Sequence, residues 1–196
     1  MAPLITPVLL VLGPQGSGKG TQVSLLAKKT GWPVVTMGEL FRSEAATGTE
    51  RGQEIGALID HGHLVPGTLW EPVLKDYLKA QQFSGGLILD AVVRSADQFG
   101  PFDRMRAELG IDEPFVLFID VPEPVSIDRL LLRGRVDDTR EAIQRRLTWS
   151  REQAGPVVDH YRSRDRVIDI NGNQPVADVH REVIDKLHAR GILELA

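Results

Sequence analysis

Residues 8–22 read VLLVLGPQGSGKGTQ, and this stretch decides the fold class of the chain. The run Val8–Leu12 is short, aliphatic and free of helix breakers, which is typical of a strand buried in a parallel sheet. A turn with four glycines and Lys19 follows, and residues 21–29 then favour a helix. This order predicts a phosphate-binding loop, because backbone N–H groups, a helix N-terminus and an ammonium group converge on one anion.

The loop departs from the commonest pattern at Gly20. A Ser or Thr usually follows the lysine directly, and its hydroxyl reaches magnesium. Here Thr21 comes one residue later. An ordinary glycine-rich turn is the alternative interpretation, but it does not explain so many glycines around a lysine. We therefore predict a nucleoside-triphosphate site.

Four further apolar runs predict strands, and helical stretches separate them. They are residues 34–35, 87–89, 115–119 and 167–170. This alternation predicts an α/β fold, a three-layer αβα sandwich around a parallel five-stranded sheet. Asp90 and Asp120 end two of these runs, where such sheets hold ligands. Residues 48–83 exceed the length of a simple crossover and predict a helical insertion.

Composition limits the remaining possibilities. A chain of 196 residues with 42% hydrophobic and 26% charged residues is typical of one globular domain. The net charge of −4 argues against a general nucleic-acid binder. The chain has no cysteine, no signal-peptide pattern at residues 1–6 and no apolar run of membrane-spanning length. We expect a cytoplasmic monomer that binds neither membranes nor nucleic acid.

Arginines are concentrated between residues 129 and 151, where seven occur without a lysine. The planar guanidinium group donates two hydrogen bonds together to phosphate oxygens. We predict phosphate contacts for some of them and solvated surface positions for the others. The first group is Arg129, Arg133, Arg135 and Arg146, and the second is Arg140, Arg145 and Arg151. Arg42 and Arg94, each beyond a predicted strand, join the first group.

Two details of this region carry further predictions. Arg129 and Arg133 lie four residues apart on one helix face, where like charges repel, so an anion is expected between them. Gly134 is expected to end that helix. Asp138 and Glu141 fit a capping box that opens the next helix.

Together these positions resemble the adenylate kinase family of nucleoside monophosphate (NMP) kinases, in its short-lid form. The likeness runs from about residue 10 to about residue 183. The matching segments, in family order, are 13–22, 36–42, 62–66, 90–98, 134–138, 146–147 and 155–161. The family's loop reads Gly-Lys-Gly-Thr, which accounts for Gly20.

The resemblance implies reversible phosphoryl transfer from ATP·Mg²⁺ to a nucleoside monophosphate. AMP is the first choice of acceptor because Gln98 is present. A kinase for another monophosphate (UMP, CMP or a deoxynucleotide) and a nucleotide-binding protein with little turnover remain alternatives. The resemblance also implies one domain, residues 1–196, with an NMP-binding insertion at about 36–83 and a minimal lid at about 133–138.

The resemblance assigns site residues in three groups. The ATP-binding group is Gly16, Ser17, Gly18, Lys19, Gly20, Thr21, Arg129 and Gln174. The NMP-binding group is Met37, Arg42, Val65, Arg94 and Gln98. The catalytic group is Lys19, Arg94, Arg133, Arg135 and Arg146, and Asp90 would help organise magnesium through water.

The chain departs from the family beside the acceptor base. Ala91-Val92-Val93 stands before Arg94 where the family has Gly-aromatic-Pro, and Met37 stands where Thr is common. The loss of Gly removes room for backbone approach, and the loss of Pro removes a stiff turn. Compensated drift and an altered base preference are both open explanations.

The lid is also unusually short, because only Gly134 separates Arg133 from Arg135. A short lid excludes water poorly, so we predict ATP hydrolysis without an acceptor. Alternatively, the insertion at 48–83 folds over the site. The remaining aromatic residues have simpler interpretations: His61 and His63 at the surface, and Trp32, Trp70 and Trp149 in the core or a groove.

Overall fold

The computed structural model describes residues 7–61, 63, 65–81, 83, 85–133 and 139–193. Within them, one parallel five-stranded sheet has the order β2-β3-β1-β4-β5. Its strands are β1 (Val8–Leu12), β2 (Val34–Thr36), β3 (Leu87–Asp90), β4 (Phe115–Asp120) and β5 (Val167–Asn171). The five predicted strands and their parallel arrangement are therefore confirmed.

Helices connect these strands. They are α1 (Lys19–Thr30), α2 (Met37–Ala45), α3 (Glu50–Asp60), α4 (Gly67–Ala80), α5 (Phe99–Glu108), α6 (Glu123–Arg133), α7 (Arg140–Arg162) and α8 (Val176–Ala189). A short 3₁₀ turn, Ala96–Gln98, precedes α5. Helices α2, α3 and α4 lie between β2 and β3, where the sequence predicts a helical insertion. Apart from Arg133, the predicted lid lies outside the described residues.

The side chains of β1 alternate between two hydrophobic clusters, one on each face of the sheet. Val8, Leu10 and Leu12 join residues of α4, α5 and α7. Leu9 and Val11 join residues of α1 and α8. Because β1 is buried on both faces, its sequence is a continuous apolar run rather than an alternating one. This packing confirms the three-layer αβα arrangement.

The position of β1 between β3 and β4 determines where a ligand can approach. Val11 is in register with Asp90 on one side and Leu117 on the other. The strand order reverses direction at β1, because β3 and β4 lie on opposite sides of it. In such sheets a crevice opens beyond the carboxyl end of the strand at this point. The glycine-rich loop that follows β1 therefore lies beside Asp90.

The predicted start of α7 is wrong by one residue. Thr139, not Asp138, is the N-cap, and its hydroxyl accepts a hydrogen bond from the Ala142 N–H at 3.2 Å. Threonine and aspartate are both good N-caps, because the side-chain oxygen of either can accept a hydrogen bond from the third N–H of the helix. Asp138 itself lies outside the described residues.

Ala91, directly after β3, has a left-handed backbone with a φ of 51°. Its N–H donates to the Val11 carbonyl at 3.1 Å, and its carbonyl accepts from Arg94 Nε at 2.7 Å. These two hydrogen bonds hold a conformation that glycine adopts freely and alanine does not. The chain thus keeps a glycine-type turn at the position where the resembled family has glycine.

We expect Ala91→Gly to raise the free energy of unfolding by about 0.5–1 kcal/mol. The left-handed conformation costs alanine about 1–2 kcal/mol, and the greater freedom of unfolded glycine offsets about 0.4–1 kcal/mol. Urea unfolding measures the change. The matched control is Ala107→Gly on the exposed side of α5, which should lose about 1 kcal/mol. Equal losses in both variants would contradict this account of Ala91.

Candidate active site

The glycine-rich loop packs tightly against the end of β4 and the start of α6. A Cβ on Gly13 would collide with the Ile119 carbonyl, and one on Gly16, whose φ is 82°, would meet the Ser126 backbone. Gly20 differs, because a Cβ there would meet nothing within 4 Å. Packing therefore requires glycine at 13 and 16 but not at 20.

Lys19 lies at the mouth of this loop. Its Nζ donates to the carbonyls of Gly13 at 2.6 Å and Pro14 at 2.8 Å. Burial lowers the pKa of Lys19 to about 8, with Asp90 opposing the shift and Arg94 adding to it. The ammonium group is thus held in place by the loop at a cost in solvation.

Asp90 and Arg94 complete a charge cluster with Lys19. Burial raises the pKa of Asp90, against the attraction of Lys19 and Arg94. Arg94 faces the open cleft, yet protein atoms surround it closely enough that burial lowers its pKa, with Asp90 opposing. Two cations and one anion therefore share a poorly solvated volume, an environment that favours a further anion.

A central cavity of about 430 Å³ contains this cluster. The predicted residues Lys19, Asp90, Arg94 and Arg133 all line it. Arg146 lies half-buried on the neighbouring helix α7 but is not a lining residue. The structure therefore brings three of the five predicted catalytic residues together around one cavity, and Arg135 lies outside the described residues.

A second cavity, of about 230 Å³, opens on the other side of the loop. Six predicted ATP-binding residues line it: Gly16, Ser17, Gly18, Thr21, Arg129 and Gln174. Ser17 is only 2% exposed, and its hydroxyl has no hydrogen-bond partner among the described residues. We call this volume the donor cavity.

Arg129 connects the two walls of the donor cavity. Its guanidinium donates to the Gly16 carbonyl at 3.3 Å and to the Gly172 carbonyl at 3.1 Å. Arg133, in contrast, lines the central cavity. The two arginines thus line different cavities, which does not support the prediction of one anion between them.

Glu182 of α8 fixes the loop at residues 171–174 that lines the donor cavity. Its carboxylate accepts hydrogen bonds from Gln174 Nε2 at 2.6 Å and from the Asn171 N–H at 3.4 Å. Lys186 Nζ also donates to it, at 2.7 Å. Burial alone would raise the pKa of Glu182, but these hydrogen bonds outweigh burial and lower it. Glu182 therefore holds the loop together with the hydrogen bond from the Gly172 N–H to the Asp120 carbonyl at 2.8 Å.

A third cavity, of about 200 Å³, lies beside α2, α3 and α4. Four predicted NMP-binding residues line it: Met37, Val65, Arg94 and Gln98. Gln98 Oε1 accepts a hydrogen bond from the Arg94 N–H at 2.6 Å, which orients the amide. Arg42 lies exposed on α2, one turn beyond the lining residue Gly38. We call this volume the acceptor cavity.

Several lining residues were not predicted as site residues. His63 and Trp70 line the acceptor cavity, and Trp149 and Gln153 line the central cavity. Trp149 was assigned only to a core or groove, and it lies three residues beyond the predicted Arg146 on the same helix. That spacing gave no usable signal, because Arg146 itself does not line the cavity.

Two features are absent from the part of the chain that the structure describes. No helix among residues 7–61, 65–81, 85–133 and 139–193 is long and apolar enough to cross a membrane. In the same part of the chain, no group of three or more His, Asp or Glu side chains is placed to hold a metal ion.

A glycine-rich loop at the end of a central parallel strand, with cavities on both sides, defines a P-loop nucleotide-binding α/β protein. The family model for adenylate kinase matches residues 11–166, and the chain belongs to the adenylate kinase family. As a member of this family, it is a phosphotransferase enzyme.

The chain is similar to curated adenylate kinases along most of its length. It is 34% identical to one from Corynebacterium aurimucosum over 178 residues, which covers 91% of this chain and 97% of that protein. It is 35% identical to one from Bifidobacterium longum over 183 residues, 91% of this chain and 98% of that protein. It is 38% identical to one from Mycobacterium tuberculosis over 164 residues, 84% of this chain and 91% of that protein.

The lowered pKa of Lys19 makes ligand affinity depend on pH. We expect metal-free ATP to bind about five- to tenfold more weakly at pH 9 than at pH 7.5, because the ammonium loses its proton above about pH 8. Calorimetric titration measures the affinities. A Lys19→Arg variant, whose charge persists across this range, should show a much flatter profile. Parallel losses in both proteins would contradict the role of Lys19.

Proposed function

We propose that the chain transfers the terminal phosphoryl group of ATP reversibly to AMP, giving two molecules of ADP. One observation carries the proposal: the central cavity holds the Lys19, Asp90 and Arg94 cluster between a donor and an acceptor cavity. Arg94 lines both the central and the acceptor cavity, so it can contact the acceptor phosphate and the migrating group. Family membership supports the same reaction.

In the proposed donor site, residues 16–21 surround the ATP phosphates with N–H groups, and Lys19 contacts the transferred group. When ATP binds, the Lys19 ammonium would exchange its hydrogen bonds to the Gly13 and Pro14 carbonyls for bonds to phosphate oxygens. The negative charge of the phosphate would then stabilise the buried ammonium group. Arg129 and Gln174 border the part of the cavity assigned to the ATP base. The pre-set bonds of Arg129 to two loop carbonyls would keep its guanidinium flat against that base.

In the proposed transfer site, the protein supplies positive charge and alignment rather than covalent chemistry. Phosphoryl transfer spreads charge over three equatorial oxygens while donor and acceptor oxygens lie in line. Lys19, Arg94 and Arg133 border the volume where that charge would develop. Arg135 and Arg146 are assigned to the same group by resemblance. No general base is assigned, because positioning and electrostatic stabilisation account for catalysis of this kind.

Magnesium would enter with ATP. Mg²⁺ is usually held by one or two carboxylates, waters and substrate phosphates rather than by a protein cage. Asp90 fits this requirement, because its carboxylate lines the central cavity beside Lys19. It would hold a water of the ion, and the bound ion would neutralise charge on the phosphate oxygens.

In the proposed acceptor site, Met37, Val65 and Gln98 border the base, and Arg42 and Arg94 hold the monophosphate. Gln98 offers its NH₂ group to a base acceptor, since its oxygen already accepts from the Arg94 N–H. Adenine presents such an acceptor, as the other bases do, so Gln98 is compatible with AMP but does not by itself select it. We further propose that the enzyme works as a cytoplasmic monomer on free nucleotides, with a net charge of −4 that disfavours nucleic-acid binding.

We expect Lys19→Ala to lower the rate of ADP formation from ATP and AMP by about 10²–10³-fold, because a main charge stabiliser is lost. A coupled assay of ADP release across a panel of monophosphates measures the rate. Lys28→Ala, an exposed position on the same helix α1, is the matched control and should keep full activity. Unchanged turnover in Lys19→Ala would overturn the proposed function.

We expect AMP to be preferred less strongly than in relatives that keep Thr and Gly-aromatic-Pro beside the base. Met37 offers a thioether where a hydroxyl could bond the base, Ala91 adds a methyl group to the cavity lining, and Val92 replaces an aromatic ring there. Competition between AMP and the other monophosphates measures the preference. Met37→Thr should increase it, whereas Met105→Leu, a core substitution on α5, should not. A preference of about 10⁴-fold in the natural chain would contradict this prediction.

A further inference from the structure

Trp149 differs from the other two tryptophans of the chain. Trp70 is 4% exposed and Trp32 is 8% exposed, and both belong to hydrophobic clusters, whereas Trp149 is 44% exposed. An indole has a large apolar surface, and leaving it in contact with water forfeits stabilising burial. Trp149 lines the central cavity together with Lys19 and Arg94. Its position therefore calls for an explanation other than core packing.

Helix α7 fixes the backbone that carries this indole. Toward its N-terminus, Ile143 and Leu147 are buried against α6. Toward its C-terminus, Val157, Val158 and Tyr161 are buried in the main cluster. Trp149 lies between these two anchored segments, on the cavity-lining face of the helix. A side chain on an element anchored at both ends is well suited to a positioning task.

The segment between α6 and α7 is too short for a large lid. Only five residues, 134–138, separate Arg133 at the end of α6 from Thr139, the N-cap of α7. Enzymes that transfer a phosphoryl group need to exclude water, because water competes with the acceptor. A large apolar side chain beside the reacting group can meet that need.

We propose that Trp149 shields the migrating phosphoryl group from water and so does part of the work of a longer lid. The proposal rests on the proposed function. The reaction it suppresses is hydrolysis: a water oxygen bonds to the γ-phosphorus, the bond from phosphorus to the β–γ bridging oxygen breaks, and ADP, phosphate and a proton leave. Trp149 acts by limiting the access of bulk water to the central cavity, while the in-line position stays open to the acceptor oxygen.

The test compares two activities in the intact chain. Phosphate release from ATP·Mg²⁺ alone reports hydrolysis, and ADP formation with AMP reports transfer. We expect Trp149→Ala to raise the ratio of hydrolysis to transfer by about tenfold, which corresponds to about 1.4 kcal/mol of selectivity between the two barriers. Trp149→Phe, which keeps an aromatic ring, should stay within about twofold of the natural chain, a change of about 0.4 kcal/mol.

The matched control is Leu132→Ala. Leu132 is 88% exposed, lies beside Arg133 on α6 and does not line the central cavity. The Leu132→Ala substitution removes an exposed apolar side chain near the site without opening the central cavity. An equal ratio of hydrolysis to transfer in Trp149→Ala and Leu132→Ala would overturn the shield. A loss of transfer without a rise in hydrolysis would also overturn it, because Trp149 would then position substrate instead.

A spectroscopic measurement tests the same proposal without relying on activity. Acrylamide quenches exposed indoles, and the difference between the natural chain and Trp149→Phe isolates the signal of Trp149. We expect the quenching constant to fall at least twofold when AMP and β,γ-methylene-ATP are bound together. An unchanged constant would show that the indole does not cover the filled site. If the natural chain forms no ADP from ATP and AMP, the proposed function fails, which is distinct from failure of the shield alone.

Discussion

The rest of the structure depends on one backbone contact, between the glycine-rich loop and the end of β4. Gly13 lies so close to the Ile119 carbonyl that no side chain fits there. This contact fixes the loop, the loop carbonyls hold the Lys19 ammonium, and the central strand β1 places that ammonium beside Asp90. A buried charge persists only with such partners, so displacement of the loop would remove the support of the whole charge cluster.

The site is assembled from two kinds of segment. The groups assigned to phosphate lie at the ends of core strands and on helices packed against them. The groups assigned to the acceptor base come from three separate segments: Met37 on α2, Val65 before α4 and Gln98 on the 3₁₀ turn before α5. Three residues that depart from the family beside this base, Met37, Val92 and Val93, are buried in the main hydrophobic cluster. A change of base-facing residue in this chain therefore also repacks the core.

Sequence reasoning was most successful where burial dictates residue type. The five strands were predicted because apolar runs buried on both faces leave little choice of side chain. The loop residues predicted to bind ATP line the central or the donor cavity, apart from Gly20, and their roles stay predictions. The predicted N-cap of α7 was wrong because Asp138 and Thr139 are both residue types that cap helices well, and only tertiary packing selects between them. His63 and Trp149 were missed as lining residues because a cavity wall combines distant segments and leaves no periodic pattern.

The left-handed turn at Ala91 also limits how this enzyme can evolve. Among the common residues, glycine, asparagine and aspartate tolerate such a backbone best, and β-branched residues tolerate it worst. Ala91 borders both the central and the acceptor cavity, so each tolerated replacement changes both at once. Val92, which lines the acceptor cavity alone, has no such backbone restriction, but it is buried in the main hydrophobic cluster. Selection for a new acceptor is therefore limited by backbone conformation at position 91 and by core packing at position 92.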